Sequence, residues 1–273
     1  MTALGRAPAD GASPVSGLAG SFRGAPVLDR NLLLARQQWP SFVARLLEPF
    51  LFLFSIGIGV GTLVPDIVGP NGVALPYRTF VAPAMLVGSA MNAAVFASVI
   101  ETYAKTKWRG SYASILASPI SVGDLMWGEL AWIGGYLSIQ STAFVLTMLA
   151  MGLIQSSWGL LLVPTAALVA FAFGGVGFLG STYLRSWLDF DYITLVTFPL
   201  FLFSASFFPL ERYPDALAVV VQLTPLYHGV DLARDLSLGT VDGWSLVSVG
   251  YLVVMGVAGT RVARTRLTER LQP

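Results

Sequence analysis

The chain has 273 residues, 55% of them hydrophobic and 11% charged, with a mean hydropathy of +0.71. It is too apolar and too sparsely charged to be a soluble domain, so it reads as an integral membrane protein. No cysteine and a single histidine, His228, exclude disulfides, thiolate sites and imidazole clusters, and a net charge of +1 excludes the concentrated basic face that nucleic acid requires.

Residues 1–26 are rich in Gly, Ala, Ser and Pro. They hold too few large apolar groups to offset the entropy of ordering, and no apolar core of a secretory signal, which predicts a disordered cytosolic tail. Over 27–41 the pattern changes: Leu28, Leu32, Ala35 and Trp39 recur at helical spacing, with Asp29, Arg30, Arg36 and Gln37 largely elsewhere on the wheel. This is an amphipathic helix, lying in the membrane plane or extending the first span as a juxtamembrane piece.

Six apolar stretches then fit membrane spans, at about 46–64, 80–100, 125–151, 160–184, 192–208 and 244–262. Glu48-Pro49 suits a first helical turn, and Gly57 and Gly61 have the spacing of a close packing face. Gly175-x-Gly177-x-x-Gly180 copies a dinucleotide fingerprint, but inside a span it is read as close helix contact. Between spans two and three lies a polar stretch, 101–129, that contains both lysines, Lys105 and Lys107. Residues 209–243 include a short apolar run, 216–223, bounded by Pro214 and Pro225, which predicts a re-entrant or interfacial hairpin. Residues 265–273 are read as a cytosolic C-terminal tail.

Basic residues orient these spans. With the N-terminus cytosolic, thirteen of the sixteen fall inside, leaving only Arg78, Arg212 and Arg234 outside. That arrangement puts the 101–129 stretch in the cytosol, with Lys105, Lys107 and Arg109 at the lipid surface. The outer excursion carries Glu211, Asp215, Asp231, Asp235 and Asp242, an acidic bias that follows from the same rule or selects for cargo charge.

There is no G-x-x-x-x-G-K-[ST], H-E-x-x-H or G-x-S-x-G motif, and the spans hold almost no ionisable groups for an ion relay. Glu48 and Glu129 sit near cytosolic ends, as interfacial anchors. The chain is therefore expected to be no enzyme, and energy for any transport has to come from another subunit. An ion-coupled secondary transporter and a non-transporting membrane scaffold are the alternatives.

Several segments together carry a resemblance: 77–83, leading into the second span; 112–124, followed by Gly128-Glu129; 203–214; and 223–229. In this order they resemble the ABC-2 type exporter permeases, and are most similar to the nodulation lipooligosaccharide (NodJ-like) branch. The resemblance spans about residues 28–265. It implies an all-α polytopic protein with six transmembrane helices over 42–264, an in-plane interface helix at 27–41 and an extracellular re-entrant hairpin between helices five and six. It also implies a dimer in the plasma (inner) membrane, docked on two cytosolic ABC ATPase subunits, with ATP and Mg on those partners and no cofactor or metal on this chain.

Carried over residue by residue, the resemblance makes 112–124 the helix that seats in the ATPase. Tyr112, Ile115, Leu116, Ser118, Pro119 and Ile120 supply contact, and Asp124 and Glu129 open the next span; a solvated, capped turn is the plainer reading. Span five would line the path. There Phe198, Phe201 and Phe208 share a helical face adjoined by Phe203 and Phe207, rings suited to an amphiphilic cargo (lipooligosaccharide, glycolipid or hydrophobic drug) or to packing against lipid.

Overall fold

A computed structural model describes residues 24–271 except 38, 56–58, 60, 62, 69–73 and 109. The tail reading over 1–23 and the packing reading of Gly57 fall outside the described residues. The first helices are α1 (Ala25–Gln37) and α2 (Trp39–Phe54), followed by a small antiparallel hairpin of β1 (Ile67–Val68) and β2 (Ala74–Leu75). Then come α3 (Tyr77–Val95), α4 (Ser111–Leu116), α5 (Val122–Ala150), α6 (Leu162–Ser181), α7 (Phe190–Leu202), α8 (Asp215–Gln222), α9 (Pro225–Leu238) and α10 (Gly243–Leu271).

Local chemistry sets most of the helix starts. Pro76, which cannot donate to a preceding turn, stands immediately before α3. Ser121 caps α5 in a reciprocal box: Asp124 N donates to Ser121 Oγ at 3.1 Å and Ser121 N donates back to Asp124 Oδ2 at 3.1 Å. Thr224 caps α9, whose first residue is Pro225, and that proline holds Thr224 extended at ψ 138°. Because Thr224 cannot continue α8, the two helices meet at 85°.

α3 and α6 form the centre. Fourteen of the nineteen residues of α3 are buried, whereas α7 buries none of its own and lies at the edge. Glycines bring α6 close to its neighbours: a Cβ on Gly175 would meet Gly256 O on α10 at 2.7 Å, and one on Gly177 would overlap Ser98 Oγ. The first two glycines of the G-x-G-x-x-G string are therefore packing glycines, and Gly180 makes ordinary contact. α2 joins through Leu53, wholly buried, and Phe50, whose ring lies 5.6 Å from that of Phe144 on α5.

Among the described residues, four helical stretches are long and apolar enough to cross a membrane: Tyr77–Lys107, Val122–Ala150, Ser157–Ser181 and Gly243–Arg270. The bent pair α8 and α9 makes five if counted as one span. The protein is an all-α polytopic membrane protein. Three sequence boundaries change. The span expected over 192–208 is helical only to Leu202. The amphipathic helix ends at Gln37, and a new helix starts at Trp39. Of the expected 265–273 tail, residues 265–271 belong to α10, which at 29 residues runs about 43 Å and outreaches a bilayer core.

Candidate functional site

The apolar run of α3 passes through π-helical turns at Phe96–Glu101 and Ala104–Trp108. Such turns are rare and shift the side chains that follow. Gly110, at φ +57°, then reverses the chain into α4. The result carries Lys105 inward, against the first turns of α5.

There Lys105 Nζ donates to both oxygens of Glu129, at 2.8 and 2.7 Å. Tyr112 Oη on α4 donates to Glu129 Oε1 at 3.3 Å, and Asn31 Nδ2 on α1 donates to Oε2 at 3.0 Å. Glu101, one turn before Lys105, adds a longer ion pair at 3.7 Å. One carboxylate thus ties together α1, the end of α3, α4 and α5. Gly128 permits this, since a Cβ there would meet Val27 Cβ at 2.7 Å and Gly24 O at 2.8 Å. Val27, Tyr112 and Leu125 close a small apolar cluster over the ion pair.

Glu129 and its three hydrogen-bonding partners are all buried. Burial, and next the Glu129 charge, hold the Tyr112 phenol well above its ordinary pKa, so it stays a donor. Lys105 is accordingly no lipid anchor: its ammonium is inside the protein, because Glu129 compensates its charge there. Glu129 likewise faces the protein rather than the membrane interface. A carboxylate seven residues into an apolar helix, beyond the capping Asp124, is the available sequence signal, since such a group needs a partner; Asn31 has no signal of its own.

The other residues expected at a coupling surface divide. Tyr112 is internal, Ile115 leans on its cluster and Leu116 packs against the main core, both half-buried. Ser118 and Pro119 are exposed, with Ala113, Ser114 and Ala117 beside them, and Ile120 is half-buried. Asp124 is engaged in the α5 cap.

A groove of about 280 Å³ runs between the far half of α3 and α7. Its walls are apolar (Phe96, Ile100, Phe198 and Phe201 among them), with Asn92, Thr194 and Thr197 as the polar groups. Phe198 and Phe201 therefore line a cavity, while Phe207 stands edge-on to Phe201 at 5.3 Å. Phe203 and Phe208 are exposed and outside the lining, because the helix that would have carried them onto one face stops at Leu202.

Two of the five acids of the excursion are engaged by the start of α10 and the end of α9. Asp242 Oδ1 accepts from Trp244 N and Ser245 N at the start of α10, and Asp235 accepts from Ser245 Oγ at 2.7 Å and Thr240 Oγ1 at 3.0 Å. Among the described residues no group of three or more His, Cys, Asp or Glu could hold a metal ion.

A family model described as ABC-2 type transporter matches residues 26–238. The chain is similar to Nodulation protein J of Sinorhizobium fredii, 30% identical over 80% of this chain and 81% of that one. It is also similar to Nodulation protein J of Rhizobium meliloti, at 29% over 85% and 87%, and of Rhizobium leguminosarum bv. viciae, at 28% over 91% and 96%.

Proposed function

Since the chain belongs to the ABC-2 type transporter family, we propose that it is the membrane-spanning permease subunit of an ATP-driven exporter, orienting both termini to the cytoplasm. It pairs with a second copy and with two ABC ATPases, and moves an amphiphile such as a lipooligosaccharide, glycolipid or hydrophobic drug outward. The six-span count of the sequence reading is kept, with α2 and α7 as the spans at the edge of the described bundle.

The observation that carries this reading is the Glu129 carboxylate shared by four helices. A push on the exposed turn that follows α4, at Ser118 and Pro119, reaches Tyr112 on that short helix. From there it passes through Glu129 to Lys105 at the end of α3 and to Asn31 on α1. Since α3 is one wall of the groove, a shift of its end changes the groove's width. Nucleotide-driven closure of the ATPases supplies the push, and Phe198 and Phe201 hold the apolar part of the cargo, with Asn92 and the two threonines facing its polar part.

The test is transport by the full chain, reconstituted with its cognate ATPase, comparing wild type with Pro119→Glu. Pro119 is exposed, so the substitution leaves the core intact, and the expected result is loss of stimulated ATP hydrolysis and transport together. Transport that proceeds without any ATPase would overturn the reading. Leu116 is a poorer choice, since it packs against the core.

A further inference from the structure

At thirteen residues α7 is about 20 Å long, against a bilayer core of about 30 Å. Residues 203–208 follow it and contain neither glycine nor proline, so nothing in their sequence ends the helix at Leu202. What ends it is tertiary. Ala205 takes φ +55°, a conformation that a residue with a Cβ avoids, yet Ser204, Ala205 and Ser206 are wholly buried. Ser204 Oγ donates to Phe201 O at 2.8 Å and lies 2.7 Å from Ser206 Oγ, so the turn satisfies its own hydroxyls in the interior.

Arg234 on α9 secures this turn. Its Nη2 donates to Ala205 O at 3.0 Å, and its guanidinium lies 3.8 Å from the centre of the Phe80 ring on α3. Arg234 is buried and its Nε has no partner. The charges of Asp231, Asp235 and Glu211 favour the cation at longer range, but burial outweighs them, so Arg234 is held there at a cost.

We propose that residues 203–208 are a strap that Arg234 holds unwound. When α9 moves and withdraws Arg234, the strap joins α7 as helix. Pro209 disfavours helix at Phe208, so the extension stops at Phe207 and α7 becomes about 27 Å long, nearly spanning the bilayer. Phe207 is then drawn away from Phe201, freeing the outer end of the groove. That last consequence rests on the exporter reading; the strap itself does not.

The native chain has no cysteine, so Ser206→Cys, at a buried position, reports on the strap through its labelling rate with a membrane-impermeant maleimide. Full-length protein in proteoliposomes is used, with no ATPase and no cargo. Labelling is expected to be slow, and Arg234→Met should raise the rate on the order of tenfold by removing a charged hydrogen bond. Arg234→Lys should recover part of the protection. Adding Ala205→Gly to Arg234→Met should slow labelling about threefold to tenfold, because glycine accepts the positive φ and is a poor helix former. An Arg234→Met rate equal to wild type overturns the strap. So does a fast rate that Ala205→Gly leaves unchanged or raises, which is the behaviour of mere misfolding. Failure here leaves the exporter reading standing, and failure of the Pro119→Glu test leaves the strap standing.

Discussion

Lys105 and Glu129 lie 24 positions apart, and Lys105 Nζ reaches both carboxylate oxygens of Glu129, with the two side chains only 6% and 4% exposed. A pair this dry is held by mutual compensation. Removing one partner strands the other charge in a medium that cannot solvate it.

Lys105→Met should therefore destabilise the protein by about 3–5 kcal/mol, far more than loss of a surface lysine. The exchanged pair Lys105→Glu with Glu129→Lys should recover part of this, because charge compensation returns although the bonds from Tyr112 and Asn31 do not. Thermal unfolding in detergent checks both variants. Equal loss in single and exchanged variants would show that the ion pair contributes little.

Gly128→Ala tests the docking of α1 separately. Its Cβ would sit 2.7 Å from Val27 Cβ and 2.8 Å from Gly24 O, a backbone atom that cannot swing aside, so α1 has to move. The bond from Asn31 to Glu129 is then lost while Lys105 keeps its place. The expected outcome is a small change in melting temperature with reduced ATPase stimulation in the reconstituted complex.

Tyr112 gives a pH dependence. Its phenol pKa is raised by burial and then by Glu129, so its contribution is full below the unfolded value of about 10 and is lost as pH rises through the higher folded value. Tyr112→Phe should cost about 0.5–1.5 kcal/mol at neutral pH for one hydrogen bond. The stability gap between wild type and this variant should stay flat from about pH 6 to 9, then narrow above about 10. A gap that stays flat or widens in alkali would mean the phenolate is accommodated inside.

How far the sequence disclosed this protein depends on the range of each cause. The start of α5 and the break before α9 were legible because Asp124 and Pro225 act within a turn of their own position. Lys105 misled because a basic residue beside a span ordinarily snorkels to lipid; its burial is decided by Glu129, 24 positions away on another helix. The end of α7 misled for the same reason: residues 203–208 hold no glycine or proline to stop a helix, and the bond that unwinds them comes from Arg234, 29 positions on from Ala205.

The groove makes its own prediction through Gly88 and Phe201. A Cβ on Gly88 would overlap the Phe201 ring, so Gly88→Ala has to drive that ring off α3 and into the groove it lines. Transport should fall while membrane insertion is kept. Phe201→Ala alone enlarges the groove, and adding it to Gly88→Ala removes the clash, so the double variant should transport better than Gly88→Ala. Phe198→Ala, at a side chain 60% exposed, should alter stability by no more than about 0.5 kcal/mol and act on apparent substrate affinity instead. Measured as uptake of a fluorescent amphiphile into inverted vesicles, a double variant no better than Gly88→Ala would remove Phe201 from the path.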